Sequence, residues 1–116
     1  MFSSYKSANK IEQSAAVDSA YGILKAAESG WYNEYQKDEN LGNTTCTVSN
    51  KQAICNPKNV TMNPISINEN MSGIITIKVI KYSNGKKDGQ ASIENFLINS
   101  KYSCSGNTIS MTCEKK

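Results

Sequence analysis

The sequence predicts an α+β fold in which one long amino-terminal helix packs on an antiparallel sheet of three to four strands. The first third of the chain carries apolar residues at helical spacing and contains no proline. The last third alternates apolar and polar residues between turn-forming stretches, as β-strands do. With 116 residues the chain has the length of a single domain, 1–116, that can enclose a core.

A helix is predicted over residues 1–36, because the apolar spacing continues to its last turn. Its first half is mostly polar, so we expect that half to project from the core. The side chains expected to stay exposed there are those of Lys6, Lys10 and Glu12. The second half carries a wide apolar stripe. The side chains expected to be buried against the sheet are those of Val17, Ala20, Leu24, Ala27 and Trp31.

Residues 37–73 are rich in Asn, Thr and Ser and predict a connecting loop that contains one small hairpin. The stretch CTVSNKQAIC has a self-consistent pairing if Asn50 and Lys51 form a two-residue turn. Cys46 then lies directly opposite Cys55. Cross-strand neighbours at that separation can be joined by a disulfide.

Residues 74–116 predict an antiparallel meander. GIITIKVIKY alternates cleanly, and SNGKKDG supplies a turn before a second strand in ASIENFLINSKYSC. SGN turns the chain again, and TISMTC forms the closing strand. Together with the helix, these strands account for the predicted α+β layers.

The cysteines indicate disulfides rather than a metal site. Two pairs each enclose eight residues, and the chain has neither histidine nor the close Cys spacing of zinc knuckles. We expect Cys104 to pair with Cys113, because that bridge closes a short local loop. A tight turn at Gly106 and Asn107 would place Cys104 opposite Ile109, so the bridge requires a wider loop or a bulge. Two disulfides place the mature protein outside the cytosol.

The composition disfavours several functional classes. Without histidine there is no Ser–His or Cys–His pair, and no partnered carboxylates stand out, so no catalytic residue and no cofactor are predicted. The thirteen basic residues are all lysine, and the net charge is +3. Because these lysines are scattered rather than gathered in a stripe, the sequence does not favour nucleic acid binding.

The order of elements resembles the soluble part of a type IV pilin or pseudopilin. The resemblance is carried by the helix YKSANKIEQSAAVDSAYGILKAAESGWYNEY and by YSCSGNTISMTC, which is similar to the disulfide-bounded carboxy-terminal region of many pilins. The family's prepilin cleavage site and its apolar half-helix with an early glutamate are not in this sequence. The resemblance implies that the helix continues upstream into an apolar segment of about one bilayer span.

The resemblance also implies a function. It predicts a structural subunit that polymerises into a bacterial surface filament for adhesion, motility or DNA uptake. Its partners would be other pilin subunits and the inner-membrane assembly machinery, and it would contact membrane only through the upstream segment. The precursor would be anchored in the cytoplasmic membrane and the product would be an extracellular pilus. The alternatives are a minor pilin or type II secretion pseudopilin, and a secreted, disulfide-stapled binding module.

Overall fold

A computed structural model describes residues 2–49, 52–56, 60–62, 70–85 and 87–116, with the side chains of 12–49, 54–55, 70–85 and 87–116. The fold is α+β. Its elements, in chain order, are α1 Phe2–Lys37, β1 Thr44–Ser49, β2 Gln52–Asn56, β3 Val60–Met62, β4 Met71–Lys81, β5 Lys87–Ile98, β6 Tyr102–Asn107 and β7 Met111–Lys115. The expected exposure of Lys6 and Lys10 lies outside the described side chains.

The sheet has more strands than the sequence predicts. In the described part of the chain, seven strands follow the order β3-β2-β1-β4-β5-β6-β7, and every neighbouring pair is antiparallel. The expectation of three to four strands was wrong for two reasons. The stretch ASIENFLINSKYSC, predicted as one strand, belongs to two strands, β5 and β6, which a turn at Asn99 and Ser100 joins, so SGN lies in β6 and is not a turn. In addition, the small hairpin does not stand apart in a loop. Instead β1 pairs along β4 from Thr44 opposite Ile77 to Ser49 opposite Ser72, which joins the hairpin to the meander.

The core lies between α1 and one face of the sheet. The helix contributes Ala20, Leu24, Ala27 and Trp31, all fully buried, and the sheet meets them with large apolar side chains. The fully buried large side chains of the sheet are Ile75, Ile77, Phe96 and Ile98. Alanine on the helix permits close approach to the strands. Each fully buried large side chain contributes about 1.5–3 kcal/mol from removal of apolar area from water.

Val17 departs from its predicted burial. It packs against the core but is only partly buried, whereas Ala16 is buried. At 100° per residue, Ala16 and Val17 each lie about 50° from the mean direction of the four buried residues that follow them, on opposite sides of it, and Val17 is on the side of β7. It therefore lines the flank of the helix beside β7 rather than the centre of the sheet.

A bulge interrupts the alternation of β5. The register between β4 and β5 shifts between Ser72 and Ile75, and Asn95 adopts a left-handed φ of 51°. Gly73, with φ of 149°, lies under the ring of Phe96, where a Cβ would come within 2.6 Å of Cδ2. Only glycine fits that position, and the bulge turns Phe96 into the core.

Candidate functional site

The helix–sheet seam is the contact that Ala20, Leu24, Ala27 and Trp31 make with the sheet. Trp31 holds its carboxy-terminal end. Its indole Nε1 donates to the backbone oxygen of Gly42 at 2.9 Å, which satisfies the one polar atom of a fully buried side chain. Gly42 precedes β1, so this hydrogen bond ties the helix to the start of the sheet. Four of the five residues predicted for the seam are buried in it, with Val17 at the margin.

Glu28 crosses from the helix to the sheet. Its Oε1 accepts hydrogen bonds from the backbone N–H of Ala91 at 2.8 Å and from the Thr108 hydroxyl at 3.2 Å. Strand β6 ends at Asn107, which lies opposite Ser92. The next residue of β5, Ala91, therefore has no β6 residue beside it, and the Glu28 carboxylate accepts its N–H instead. Spacing did not point to Glu28, since its partners lie 63 and 80 residues away.

Two polar contacts tie the helix to the sheet farther toward its amino terminus. The Tyr102 hydroxyl donates to Oε2 of Glu12 at 3.2 Å, and the Gln13 amide donates to the backbone oxygen of Cys113. Glu12 is exposed, as expected. Beyond these ties the helix continues to Phe2, a further ten residues or about 15 Å along its axis.

The four cysteines form the two predicted bridges. Cys46 and Cys55 are opposite each other in the register of β1 and β2, with Cα atoms 4.0 Å apart. Cys104 and Cys113 are likewise directly paired, with Cα atoms 4.1 Å apart. All four side chains are buried on the helix side of the sheet. Each disulfide therefore joins the two strands of a hairpin, and its buried sulfur atoms also fill part of the core.

The turn of the second hairpin lies two residues later in the chain than a tight turn at Gly106 and Asn107 would. The N–H of Asn107 donates to the Ser110 oxygen, so the two turn residues are Thr108 and Ile109. The Asn107 side chain accepts the N–H groups of Ile109 and Ser110 at 2.8 and 2.9 Å, which stabilises this placement. The bridge then needs neither a wider loop nor a bulge.

An exposed ion pair stands at the carboxy-terminal end of the helix. Lys87 Nζ lies 2.7 Å from Oε1 of Glu39 and 5.9 Å from the centre of the Tyr35 ring. The hydrogen bond to Lys87 lowers the pKa of Glu39, and the same bond raises the pKa of Lys87. The pair links the segment after α1 to the first residue of β5.

The described residues hold no cluster of three or more His, Cys, Asp or Glu side chains that could bind a metal ion. Over the same part of the chain, no helix combines the length and the hydrophobicity needed to cross a bilayer.

The chain was compared with protein-family models, with curated proteins and with solved structures, and none of the three comparisons finds a match.

Proposed function

We propose that this chain is the head of a structural subunit of a bacterial type IV pilus, a filament used for adhesion, motility or DNA uptake. The observation that carries the proposal is the length of α1, which runs along the whole long axis of the molecule and covers one face of the antiparallel sheet. Its 36 residues span about 54 Å, close to the 55 Å longest dimension of the molecule. The side chains of α1 that the structure describes, from Glu12 onward, contact the sheet as far as the carboxy-terminal end of the helix.

A single long helix of this kind suits a subunit whose helix packs on its own head and also continues into a filament. The part from Ala16 to Tyr35 belongs to the head, where it covers the sheet. The part before it extends the helix axis toward the segment that would lie in the membrane before assembly and in the filament core afterwards. In this proposal the partners are other pilin subunits and the inner-membrane assembly machinery, and the driving force for assembly is burial of that apolar segment.

The two disulfides support a head that works outside the cell. A bridge of this loop length stabilises a fold by roughly 2–3 kcal/mol by restricting the unfolded chain. The work proposed for the chain is mechanical rather than catalytic. A minor pilin or a type II secretion pseudopilin would use the same architecture.

A secreted binding module is the second candidate, favoured by the sheet face that α1 does not cover. Ile54 and Ile74 are 42% and 57% exposed there, and both lie opposite Thr47 in the strand register. This row of Ile, Thr and Ile is uncharged and crosses three neighbouring strands. A ligand bound by a free domain would use this surface.

The test is where the chain resides in its source bacterium. A short epitope inserted after Gly85, in the exposed turn between β4 and β5, allows immunogold labelling of the protein expressed with its native upstream sequence. Label along filaments supports a major subunit, and sparse label at a few points supports a minor one. Label confined to the periplasm supports a pseudopilin. Free epitope in the medium, with none in filaments, contradicts the proposal.

A matched pair of variants controls this experiment. Trp31→Ala removes the anchor of the seam, and we expect the head to become unstable and filaments to be lost. Asn33→Ala changes an exposed residue two positions along the same helix. Filaments formed normally by the second variant and not by the first would tie assembly to an intact head.

A further inference from the structure

Strand β7 forms one edge of the sheet and has β6 as its only neighbour in the strand order of the described residues. The N–H of Asn107 donates to the Ser110 oxygen, and hydrogen-bonded pairs recur at every second residue of an antiparallel ladder from there. Met111 and Cys113 fall between these pairs. Their backbone N–H and C=O groups therefore point away from β6, toward the flank of α1, which leaves the two residues only 8% and 1% exposed.

A groove of about 440 Å³ runs beside this edge, between the strand and the flank of α1. Val17, partly buried, and Met111, buried, give it an apolar floor. Asp18 is exposed and is the one charged residue among the described side chains that line it. The groove thus combines an apolar floor, formed by Val17 and Met111, with the acidic side chain of Asp18, and it lies next to the backbone hydrogen-bonding groups of β7.

One of those backbone groups already has a partner from the helix. Nε2 of Gln13 donates to the oxygen of Cys113. An added strand would offer a backbone N–H to the same oxygen. The Gln13 side chain therefore makes a hydrogen bond that a docked strand would otherwise make. A peptide that binds at this edge must displace that side chain.

We propose that the β7 edge and its groove bind an extended peptide segment of another protein, which adds to the sheet as an eighth strand. An extended backbone supplies donors and acceptors at the spacing of the edge, and alternate side chains then face the helix. One apolar side chain of the segment sits between Val17 and Met111, and a basic side chain lies near Asp18. This inference does not depend on the proposed function.

The direct test uses the whole oxidised chain and a synthetic peptide, Lys-Ile-Thr-Ile-Thr-Ile-Lys, with blocked ends. We expect its binding to shift the amide resonances of Met111 and Cys113 and to slow their hydrogen exchange. The same peptide with alternate amides N-methylated loses the donors on one edge, and its binding should weaken by at least about tenfold. A version flanked by Glu should bind more weakly than the Lys version, and Asp18→Asn should reduce that difference.

Three variants locate the site. Gln13→Ala removes the competing donor, so we expect the peptide to bind about three- to tenfold more tightly. Val17→Asp should abolish binding, whereas Lys25→Asp, which adds the same side chain at an exposed position of α1, should leave it unchanged. Circular dichroism and the melting temperature of each variant establish that it is folded.

Several results would overturn the inference. Equal binding of the N-methylated peptide would show that the backbone edge is not used. Unchanged affinity in Gln13→Ala, or resonance shifts confined to the opposite face around Ile54 and Ile74, would place the peptide elsewhere. If Gln13→Ala instead makes the chain dimerise through the amides of β7, the edge pairs with a second copy, and the peptide proposal fails.

Discussion

The carboxylate of Glu28 lies 2.8 Å from the backbone nitrogen of Ala91, so a helical side chain occupies the place of the strand that β5 lacks at this point. Ala91 is completely buried while Glu28 covers it, so in the intact chain its N–H has no water as an alternative acceptor. A buried N–H without a partner costs about 1–3 kcal/mol. Glu28 is thus a structural residue of the seam although it sits on the helix surface.

Two substitutions of Glu28 should distinguish what its hydrogen bond contributes to stability from what its charge contributes. We expect Glu28→Ala to lower the free energy of unfolding by about 1–3 kcal/mol, because it leaves the Ala91 N–H without an acceptor. Glu28→Gln keeps an oxygen at that position and should cost less. Urea titration measures both, with Asn33→Ala as the exposed control. Equal stability of wild type and Glu28→Ala would show that this hydrogen bond contributes nothing.

Removal of the Trp31 side chain should be among the most costly substitutions in the chain. We expect Trp31→Ala to lower the free energy of unfolding by about 3–5 kcal/mol, the range for loss of a buried large aromatic side chain. Trp31→Phe keeps most of the packing and loses only the hydrogen bond to Gly42, so its cost should be smaller. Asn33→Ala should stay within about 0.5 kcal/mol. Equal melting temperatures for wild type and Trp31→Ala would contradict the burial of the seam.

The two bridges should stabilise the chain by similar amounts. Their cysteines have the same sequence separation of 9, and loop entropy predicts roughly 2–3 kcal/mol for each. We therefore expect the double variants Cys46→Ser with Cys55→Ser, and Cys104→Ser with Cys113→Ser, to lose similar stability in urea. Non-reducing peptide mapping of the wild type checks the pairing. A peptide linking Cys46 to Cys104 or Cys113 would refute it.

The Lys87–Glu39 ion pair should give a small pH dependence at both ends of the scale. The pKa of Glu39 is lowered by its hydrogen bond to Lys87, so its contribution is present above the ordinary carboxyl pKa and is lost as pH falls through the lowered value. The pKa of Lys87 is raised, so its contribution is present below the ordinary lysine pKa and is lost as pH rises through the raised value.

Because the pair is exposed, the effect should be small and should decrease with salt. The measurement is the melting temperature from acid to alkaline pH for wild type, Glu39→Gln and Glu34→Gln, at low and high salt. Glu34→Gln is the control, since its partner Lys37 is a neighbour on the same helix. A salt-independent difference between Glu39→Gln and wild type would show that the ion pair is not its cause.

Gly73 should tolerate substitution less well than Gly85. Both have positive φ, so alanine is strained at either position. At Gly73 the added Cβ would also meet the ring of Phe96, whereas at Gly85 no atom lies within 4 Å. We expect Gly73→Ala to cost about 1–3 kcal/mol more than Gly85→Ala, as overpacking does in other cores. Urea titration of the two variants tests this, and equal losses would mean that Phe96 moves aside freely.

Short-range features could be predicted from the sequence. The register that places Cys46 opposite Cys55 follows from a two-residue turn and strand alternation, and the structure has that register, although the turn residues themselves lie outside the described part. The burial of Ala20, Leu24, Ala27 and Trp31 follows from helical spacing. These properties depend on neighbours within about ten residues.

Long-range features could not be predicted in this way. The strand count depends in part on β1 pairing with β4 across residues whose outward side chains are threonines and a serine, which give no apolar signal. It also depends on the turn between β5 and β6, where Asn99 and Ser100 adopt left-handed φ without a glycine to mark it. The second hairpin turn depends on the side chain of Asn107, which competes with the more familiar turn position at Gly106. The acceptor role of Glu28 requires knowing where β6 ends. Each of these depends on the geometry of the assembled sheet.

The two bridged hairpins also determine how the chain would respond to force. A pull on the carboxy-terminal end of β7 can peel Lys115 and Glu114 from β6 before it reaches Cys113. There the tension passes through the sulfur atoms to Cys104, and residues 105–112 carry none of it. Each disulfide therefore shortens the fully extended chain by the length of nine residues, about 30 Å. A stretched oxidised chain would stop about 60 Å short of the reduced one, and its hairpins would remain closed under tension.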